Sequence, residues 1–488
     1  MNVKPAEAAA VPAVSAPPGR FHYYARRIPA IKKVLALILA LAMLLGCTAA
    51  IAEEKITLTL GIYPEDVDTA AVDSHENSYI PAMQEAMPNV EIVRAHYKYA
   101  TDTFVALAES GNIPTVFETW YTEPQKLIKG GFVKDITDEL TELGWLDKMN
   151  PSVRALMSDE NGRVYGTPRD GYALGLMINA EVFADAGLVD ENGLPTYPKT
   201  WDEVIEYGKI IKEKTGSAGL CLLAQDNAGG WHFSNIAWTY GAVFQVQDEN
   251  GKWIAQLNTP EVVEAMKMVQ RMAQEGILTS DPTSENWGTG FAQLATGAAA
   301  MYIAANDAVN QPTAVNGLPL EDLMMVGIPA GSDRSYSLSG GTPYMFAADA
   351  THEEIMAALK YLEIMGKAPV VSEASKAGLV ADAEYRVENG IPVIQEFPAW
   401  VDEEFTAAKN EVVAQYSNVD ARMYQNYFDT VSADGNLKME EPQQTQDMYA
   451  ELTKVLQAVV TDENADVQAL LDTANANFQA LLDDTVNK

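Results

Sequence analysis

The sequence predicts an α/β protein built in two lobes, and three observations lead there. Strand and helix periodicities alternate from residue 55 onward. Apolar residues make up 48% of the 488-residue chain, enough for a large core. A chain of this length also exceeds what one ordinary core holds, so two are expected. Lys55-Ile-Thr-Leu-Thr-Leu-Gly-Ile62 sets Ile56, Leu58, Leu60 and Ile62 at alternate positions, the pattern of a strand with one apolar face. Ile80, Met83 and Met87 recur at helical spacing until Pro88-Asn89 ends the helix. Val90-Glu-Ile-Val93 and Thr115-Val-Phe117 read as strands, with a helix around Phe104 to Ala108 between them. Strand, helix, strand, helix, strand argues for a parallel sheet.

Later helices carry their own start signals. Thr200-Trp-Asp-Glu203 and Thr351-His-Glu-Glu354 have capping-box spacing, and Thr259-Pro260 supplies a cap followed by proline in the first turn. Leu452, Val455, Leu456, Val459 and Val460, then Leu470, Leu471, Phe478, Leu481 and Leu482, mark two amphipathic helices. Asp-Glu-Asn-Gly begins at Asp159, Asp190 and Asp248. Its glycine falls fourth, not sixth, after the first acid, so these are surface turns rather than calcium loops. Cys221, in the apolar run Gly219 to Ala224, reads as a small buried strand residue.

Ahead of this body lies a different kind of segment. Twelve apolar residues from Val34 to Leu45 follow Arg26, Arg27, Lys32 and Lys33. As a helix they reach about 18 Å, short of a hydrocarbon core about 30 Å thick. A basic stretch before a short apolar core has the order of a secretory signal. Its end, Leu44-Leu45-Gly46-Cys47, resembles the lipobox of bacterial lipoproteins. That resemblance implies a signal peptide over residues 1–46, lipidation of Cys47, an anchor and short linker over 47–55, and a place on the outer face of the cell membrane.

Charge and chemistry narrow the function. The formal charge of −35 becomes −40 without the leader, which holds six basic residues and one acid. So acidic a chain repels phosphate backbones, which argues against nucleic acid as a partner. There is no glycine-rich phosphate loop, no Gly-x-Ser-x-Gly elbow and no His-Glu-x-x-His. The histidines show no metal-ligand spacing, and no cofactor is called for.

Eight segments in order resemble the extracellular solute-binding proteins of ATP-driven (ABC) importers, in the sugar-binding branch that includes maltose-binding protein. They are ALAESGNIPTVFETW from Ala106, LIKGGFVKDITDEL from Leu127, GRVYGTP from Gly162, LGLMINAEVFADAGL from Leu174, PKTWDEV from Pro198, FAQLATGAAAMYI from Phe291, VGIPAG from Val326 and LQAVVTDENADVQALL from Leu456. The resemblance implies the two-lobed type II periplasmic-binding-protein fold, with a hinge and a ligand cleft between the lobes. It implies an N-terminal lobe of residues 56–172 plus 320–365 and a C-terminal lobe of 173–319 plus 366–488. Crossings are then expected near Tyr172 to Met177, between Asn306 and Leu320, and near Met365.

Sugars present flat C–H faces edged by hydroxyls, so their sites pair aromatic rings with planar hydrogen-bonding groups. By correspondence with the family, the loop Thr119 to Glu123 lines the cleft, giving Trp120 as first stacking candidate with Tyr121 and Glu123 beside it. Trp231, after Gly229-Gly230, is the second, with His232 as its neighbour. Arg169 and Asp170 either hold hydroxyls or pair with each other, and Tyr172 follows as a polar contact. Asn306 and Asp307 stand where relatives carry a glycine and a Trp. Gly341 matches a flexible pair at the cleft wall, with Tyr344 behind it.

The function expected is a lipid-anchored, monomeric, non-enzymatic receptor. It captures a small solute, an oligosaccharide before all others, by hinge closure and passes it to the permease subunits of an ABC transporter. A tethered glycan hydrolase and a receptor for a membrane sensor are the alternatives, and a polyamine or peptide is the alternative ligand.

Overall fold

In a computed structural model, residues 55–488 are described apart from Val67, Asp102 and Asp434; the leader and Cys47 lie outside the described residues. Among them are thirteen strands. The first sheet holds β1 (Ile56–Leu60), β2 (Val90–Arg94), β3 (Val116–Glu118), β4 (Gly166–Pro168) and β12 (Pro343–Phe346), in the order β2-β1-β3-β12-β4. The second holds β5 (Tyr172–Asn179), β6 (Ala218–Cys221), β9 (Ala299–Ala305), β10 (Leu323–Val326), β11 (Ser337–Gly340) and β13 (Leu437–Met439). A separate hairpin joins β7 (Gln245–Gln247) to β8 (Trp253–Ala255).

The strand alternation expected of the first segments is realised. β1 pairs in parallel with both β2 and β3. Side chains of a strand alternate between faces, and here that divides the first lobe's core in two. Leu58, Leu60, Val116, Tyr344 and Phe346 face one set of helices, while Phe117 and Met345 meet Phe104 and Leu127 on the other side. The second lobe has one larger core around β5, β6 and β9, which includes Cys221.

The crossings differ in part from those expected. The chain leaves the first sheet at Arg169–Gly171, between β4 and β5. It does not return between Asn306 and Leu320. β10 and β11 both pair antiparallel with β5, along Leu176–Asn179 and Tyr172–Ala173 respectively. Residues 323–340 thus belong to the second lobe, and the return lies at Gly341–Thr342. The physical reason is Gly175, whose missing side chain lets the Val326 carbonyl approach β5. Nor does the chain leave at Met365: Ala368, Trp400 and Phe405 still pack in the first lobe's core. The last crossing falls between helices Glu403–Tyr416 and Arg422–Ser432, since Met423, Tyr424 and Tyr427 are buried in the second.

Local signals are met in detail. At helix His352–Ile364 the Thr351 hydroxyl accepts from the Glu354 N–H at 3.2 Å, and the Glu354 carboxylate accepts from the Thr351 N–H at 2.9 Å. At helix Trp201–Thr215 the Thr200 hydroxyl caps Glu203 in the same way, but the Glu203 carboxylate reaches one residue further back, to the Lys199 N–H. In all three Asp-Glu-Asn-Gly turns the Asp Oδ1 accepts two backbone N–H groups, from the residues two and four further on.

Helix Asp226–Trp238 packs against helix Thr445–Thr461 at backbone distance. The Gly230 N–H donates to the Thr453 hydroxyl at 2.8 Å, and a Cβ on Gly230 would run into the Tyr449 backbone. Gly230→Ala is therefore expected to destabilise by about 1–3 kcal/mol, as overpacking does. Gly378→Ala, with open space inside helix Glu373–Glu388, should stabilise by about 0.5–1 kcal/mol. Urea unfolding of the two variants checks both signs.

Candidate functional site

The first two crossings run side by side and are bolted together. The Arg169 N–H donates to the Thr342 carbonyl at 2.9 Å, and the Thr342 N–H donates to Asp170 Oδ1 at 3.0 Å. The Tyr121 hydroxyl donates to the Asp170 carbonyl at 2.9 Å. Gly341, at φ +153°, sits where a Cβ would strike the Tyr121 ring and the Asp170 carbonyl. Its glycine serves the crossing itself. Tyr121, 3% exposed, is likewise a strut.

The open alternative for Arg169 and Asp170 resolves into pairing. Arg169 Nε lies 2.6 Å from Asp170 Oδ2, and its Nη1 lies 2.7 Å from Glu118 Oε2 at the end of β3. Tyr344 faces Glu118 across the β3–β12 pair and Thr167 across the β12–β4 pair. It is wholly buried, and its hydroxyl has no hydrogen-bond partner among the described residues.

On the first-lobe side, Trp120 is 42% exposed and meets Tyr99 edge-on, with ring centroids 5.5 Å apart. Glu123, at the end of the same loop, is buried. It accepts the Tyr99 hydroxyl at 2.6 Å and, through its other oxygen, the Thr122 hydroxyl at 3.3 Å. The second lobe touches this loop directly: Gln446 Nε2 donates to the Thr122 hydroxyl at 3.2 Å.

On the second-lobe side, Tyr172 opens β5 and lies edge-on to the half-buried Trp231, 6.3 Å between centroids. Trp231 also meets Trp287 at 5.4 Å. His232 turns away: it is fully buried, and burial pushes its pKa down to about 3, so it is a neutral core side chain. Being one residue from Trp231 on a helix puts it about 100° round the axis, which explains why the two do not share a face. Gly229 and Gly230, just before Trp231, admit helix Thr445–Thr461 rather than open onto the junction. Asn306 is buried, and its Oδ1 accepts the Ala173 N–H at 3.1 Å, fixing the start of β5.

Asp307 is reached by solvent yet hemmed in by protein. Burial first, then the Asp170 charge, push its pKa up to about 7 against the pull of Arg169. Glu440, following β13, is raised to about 7 by burial and by Glu123, although the Tyr449 hydroxyl donates to it at 3.0 Å. Neither Glu440 nor Trp287 stands out in sequence, because each sits in a stretch with no motif; the tertiary fold alone delivers them.

The structure thus gathers Trp120, Glu123, Arg169, Asp170, Tyr172, Asp307 and Glu440 at or beside the junction of the lobes, and assigns Tyr121, His232, Asn306 and Gly341 to structural work. A surface groove of about 400 Å³ beside Trp201, Tyr240 and Arg271 involves none of them.

Asp307 makes a test of the junction's electrostatics. Its native pKa exceeds the ordinary value of 3.8, so the folded state holds the proton more tightly, and the charged carboxylate weakens the fold at high pH. The neighbours that set this are Asp170, Arg169 and Glu396, with Arg386 also within its field. Asp307→Asn should raise the melting temperature of ligand-free protein at pH 8, and the gain should fade as pH falls towards 4. Scanning calorimetry reads it.

Comparison with known proteins follows the same architecture. Residues 76–369, more than half of the chain, match the family model described as bacterial extracellular solute-binding protein. A lactose-binding protein of Rhizobium radiobacter is 25% identical over 216 residues, 42% of this chain and 49% of that protein, so the match spans about half the length of the curated relative. Among solved structures, the GacH receptor of Streptomyces glaucescens GLA.O is 17% identical, over 88% of this chain and 100% of that one, with a TM-score of 0.64. A solute-binding protein of an ABC transporter from Thermotoga lettingae is 16% identical over 88% and 100%, TM-score 0.66. UgpB from Mycobacterium tuberculosis is 17% identical over 89% and 100%, TM-score 0.66. At these identities the likeness establishes the fold: two lobes of the type II binding-protein kind, hinged about a cleft.

Proposed function

The chain belongs to the bacterial extracellular solute-binding protein family, and from that premise we propose that it captures a small solute, an oligosaccharide, by closing its two lobes and hands it to an ABC importer. The observation that carries this reading is the pairing at the lobe junction. Accessible rings, Trp120 on one lobe and Trp231 with Tyr172 on the other, stand beside carboxylates and amide groups. A flat C–H face stacks on the first kind of group, and ring hydroxyls hydrogen-bond to the second.

Relatives support the sugar. One is a lactose-binding protein, the GacH receptor was solved in complex with acarbose, and the Thermotoga protein was solved with α-D-tagatose. Closure follows from linkage. A solute touching both lobes stabilises the closed form by the contacts that the open form cannot make. The crossing segments Arg169–Gly171, Gly341–Thr342 and residues 417–421 are where the backbone turns. The importer reads closure, and the solute leaves with its bonds intact. Among the described residues no helix is long and apolar enough to cross a membrane. Attachment outside the cell is assigned to a lipid on Cys47.

Two measurements test this reading. In a thermal-shift screen of the mature protein, an oligosaccharide should raise the melting temperature, because it binds only the folded form. Trp231→Ala should then weaken that solute by about 2 kcal/mol in calorimetry, as the loss of an aromatic anchor does. Unchanged affinity removes Trp231 from the site, and release of product from the glycans would argue for a hydrolase. Separately, Cys47→Ala should abolish partitioning into detergent; persistent partitioning with acyl mass on the protein contradicts the anchor.

A further inference from the structure

A line of hydrogen bonds runs from beneath one candidate stacking ring to the helix that carries the other, and it passes between the lobes on the way. It starts at Tyr99, whose ring meets that of Trp120 edge-on. The Tyr99 hydroxyl donates to Glu123 Oε2 at 2.6 Å, and the Thr122 hydroxyl donates to Glu123 Oε1 at 3.3 Å. From the second lobe, Gln446 Nε2 donates to the Thr122 hydroxyl at 3.2 Å. Asn227 Nδ2 in turn donates to Gln446 Oε1 at 3.1 Å. Asn227 lies in helix Asp226–Trp238, about one turn before Trp231.

The directions along this line are fixed by chemistry. A carboxylate only accepts, so the single proton of the Thr122 hydroxyl is committed to Glu123. Towards the other lobe the Thr122 oxygen can then only accept, which demands a donor there. Turned over, the Gln446 amide would set oxygen against oxygen with no proton between them. Thr122 and Glu123 are both buried, where such bonds strengthen one another and a broken one is costly.

A second kind of observation falls on the same two amides. Among the described residues, only two besides glycines have positive φ, Asp226 at +47° and Gln444 at +46°. Asp226 immediately precedes Asn227 and opens its helix, and Gln444 caps helix Thr445–Thr461, which carries Gln446. Left-handed backbone is unfavourable for such residues, and it gathers where function requires it. Lys129 Nζ adds a second link between the lobes, donating at 3.2 Å to Gln443 Oε1, just ahead of Gln444.

We propose that Gln446 is a positioning residue: with Asn227 and Thr122 it fixes the Trp120 loop against the helix of Trp231 when the lobes meet, and so sets the fit of the solute between the two rings. Gln446 acts through Thr122 and not through contact with the solute. Its link joins opposite sides of the hinge, so it must break before the lobes part, and it slows the release of every solute that the closed lobes hold. This rests on the receptor reading above and adds to it the residue that joins its two halves.

The test uses the mature protein with lactose, maltotriose and acarbose as probes, followed by stopped-flow fluorescence, on variants first shown to melt cooperatively. Gln446→Ala and Thr122→Val should each speed release of a bound probe at least fivefold, with association within twofold of the parent. The double variant should release no more than twofold faster than either single variant, because both cut one link. Thr122→Ser, which keeps the hydroxyl, should recover slow release. With probe bound, or without it should none bind, Gln446→Ala should also raise hydrogen exchange of the Glu123 N–H, in the opposite lobe, at least threefold. Losses that multiply in the double variant, or that touch one probe and spare the others, make Gln446 a direct sugar contact and overturn the proposal. Unchanged release or unchanged Glu123 exchange overturns it as well. If none of the three sugars binds, the sugar reading fails for them, and the exchange comparison decides the role of Gln446 by itself.

Discussion

Asp170 holds the molecule's two lobes in register. Its side chain accepts the Thr342 N–H, its carbonyl accepts the Tyr121 hydroxyl, and its second carboxylate oxygen meets Arg169, which in turn reaches Glu118 on the first sheet. These contacts tie the two adjacent crossings together at the residues where the chain changes sheet. The same carboxylate also sets the electrostatics of the junction, being the strongest charged influence on Asp307. Structure and site thus share one residue. Altering Asp170 would disturb hinge and cleft together, and a binding defect there would not by itself identify a ligand contact.

The junction illustrates how a receptor differs from a core. Inside the second lobe, buried polar groups such as these are matched: Trp201 donates to Thr239 at 2.9 Å, and the Asn179 amide donates to the Leu294 carbonyl at 2.9 Å. At the junction, Asp307 lies within the pull of Arg169 and Glu440 accepts the Tyr449 hydroxyl, yet burial pushes both carboxyls up to about 7. Such groups cost stability in the empty protein, and sites of recognition commonly carry that cost.

Much of the fold was legible because it is written in short-range pattern. Alternation in Ile56 to Leu60, two residues short of the strand expected to Ile62, the caps at Thr200 and Thr351 and the turns at Asp159, Asp190 and Asp248 depend on neighbours within a few residues, and each is found. The crossings were less legible, because they depend on pairing over long separations. Nothing near Leu323 announces that its strand will lie against Asn179. The site was half legible for a related reason. Aromatic residues such as Trp120 and Trp231 can be nominated from their settings, but which face of a helix is buried depends on what packs there. His232 and Gly230 went to the core for that reason. Glu440 could not be nominated at all, since its importance comes from Glu123, 317 positions earlier in the chain.

The hydrogen bonds between the lobes also bear on how an empty receptor stays open. Hinged receptors risk closing without cargo, and an importer that reads closure would then be engaged to no purpose. Attraction between the lobes, such as the Gln446–Thr122 and Lys129–Gln443 hydrogen bonds, favours closure whether or not solute is present. Reversing a 1:99 population to 99:1 takes a differential of about 5.5 kcal/mol. A solute that bridges the lobes supplies that difference through the contacts the open form cannot make.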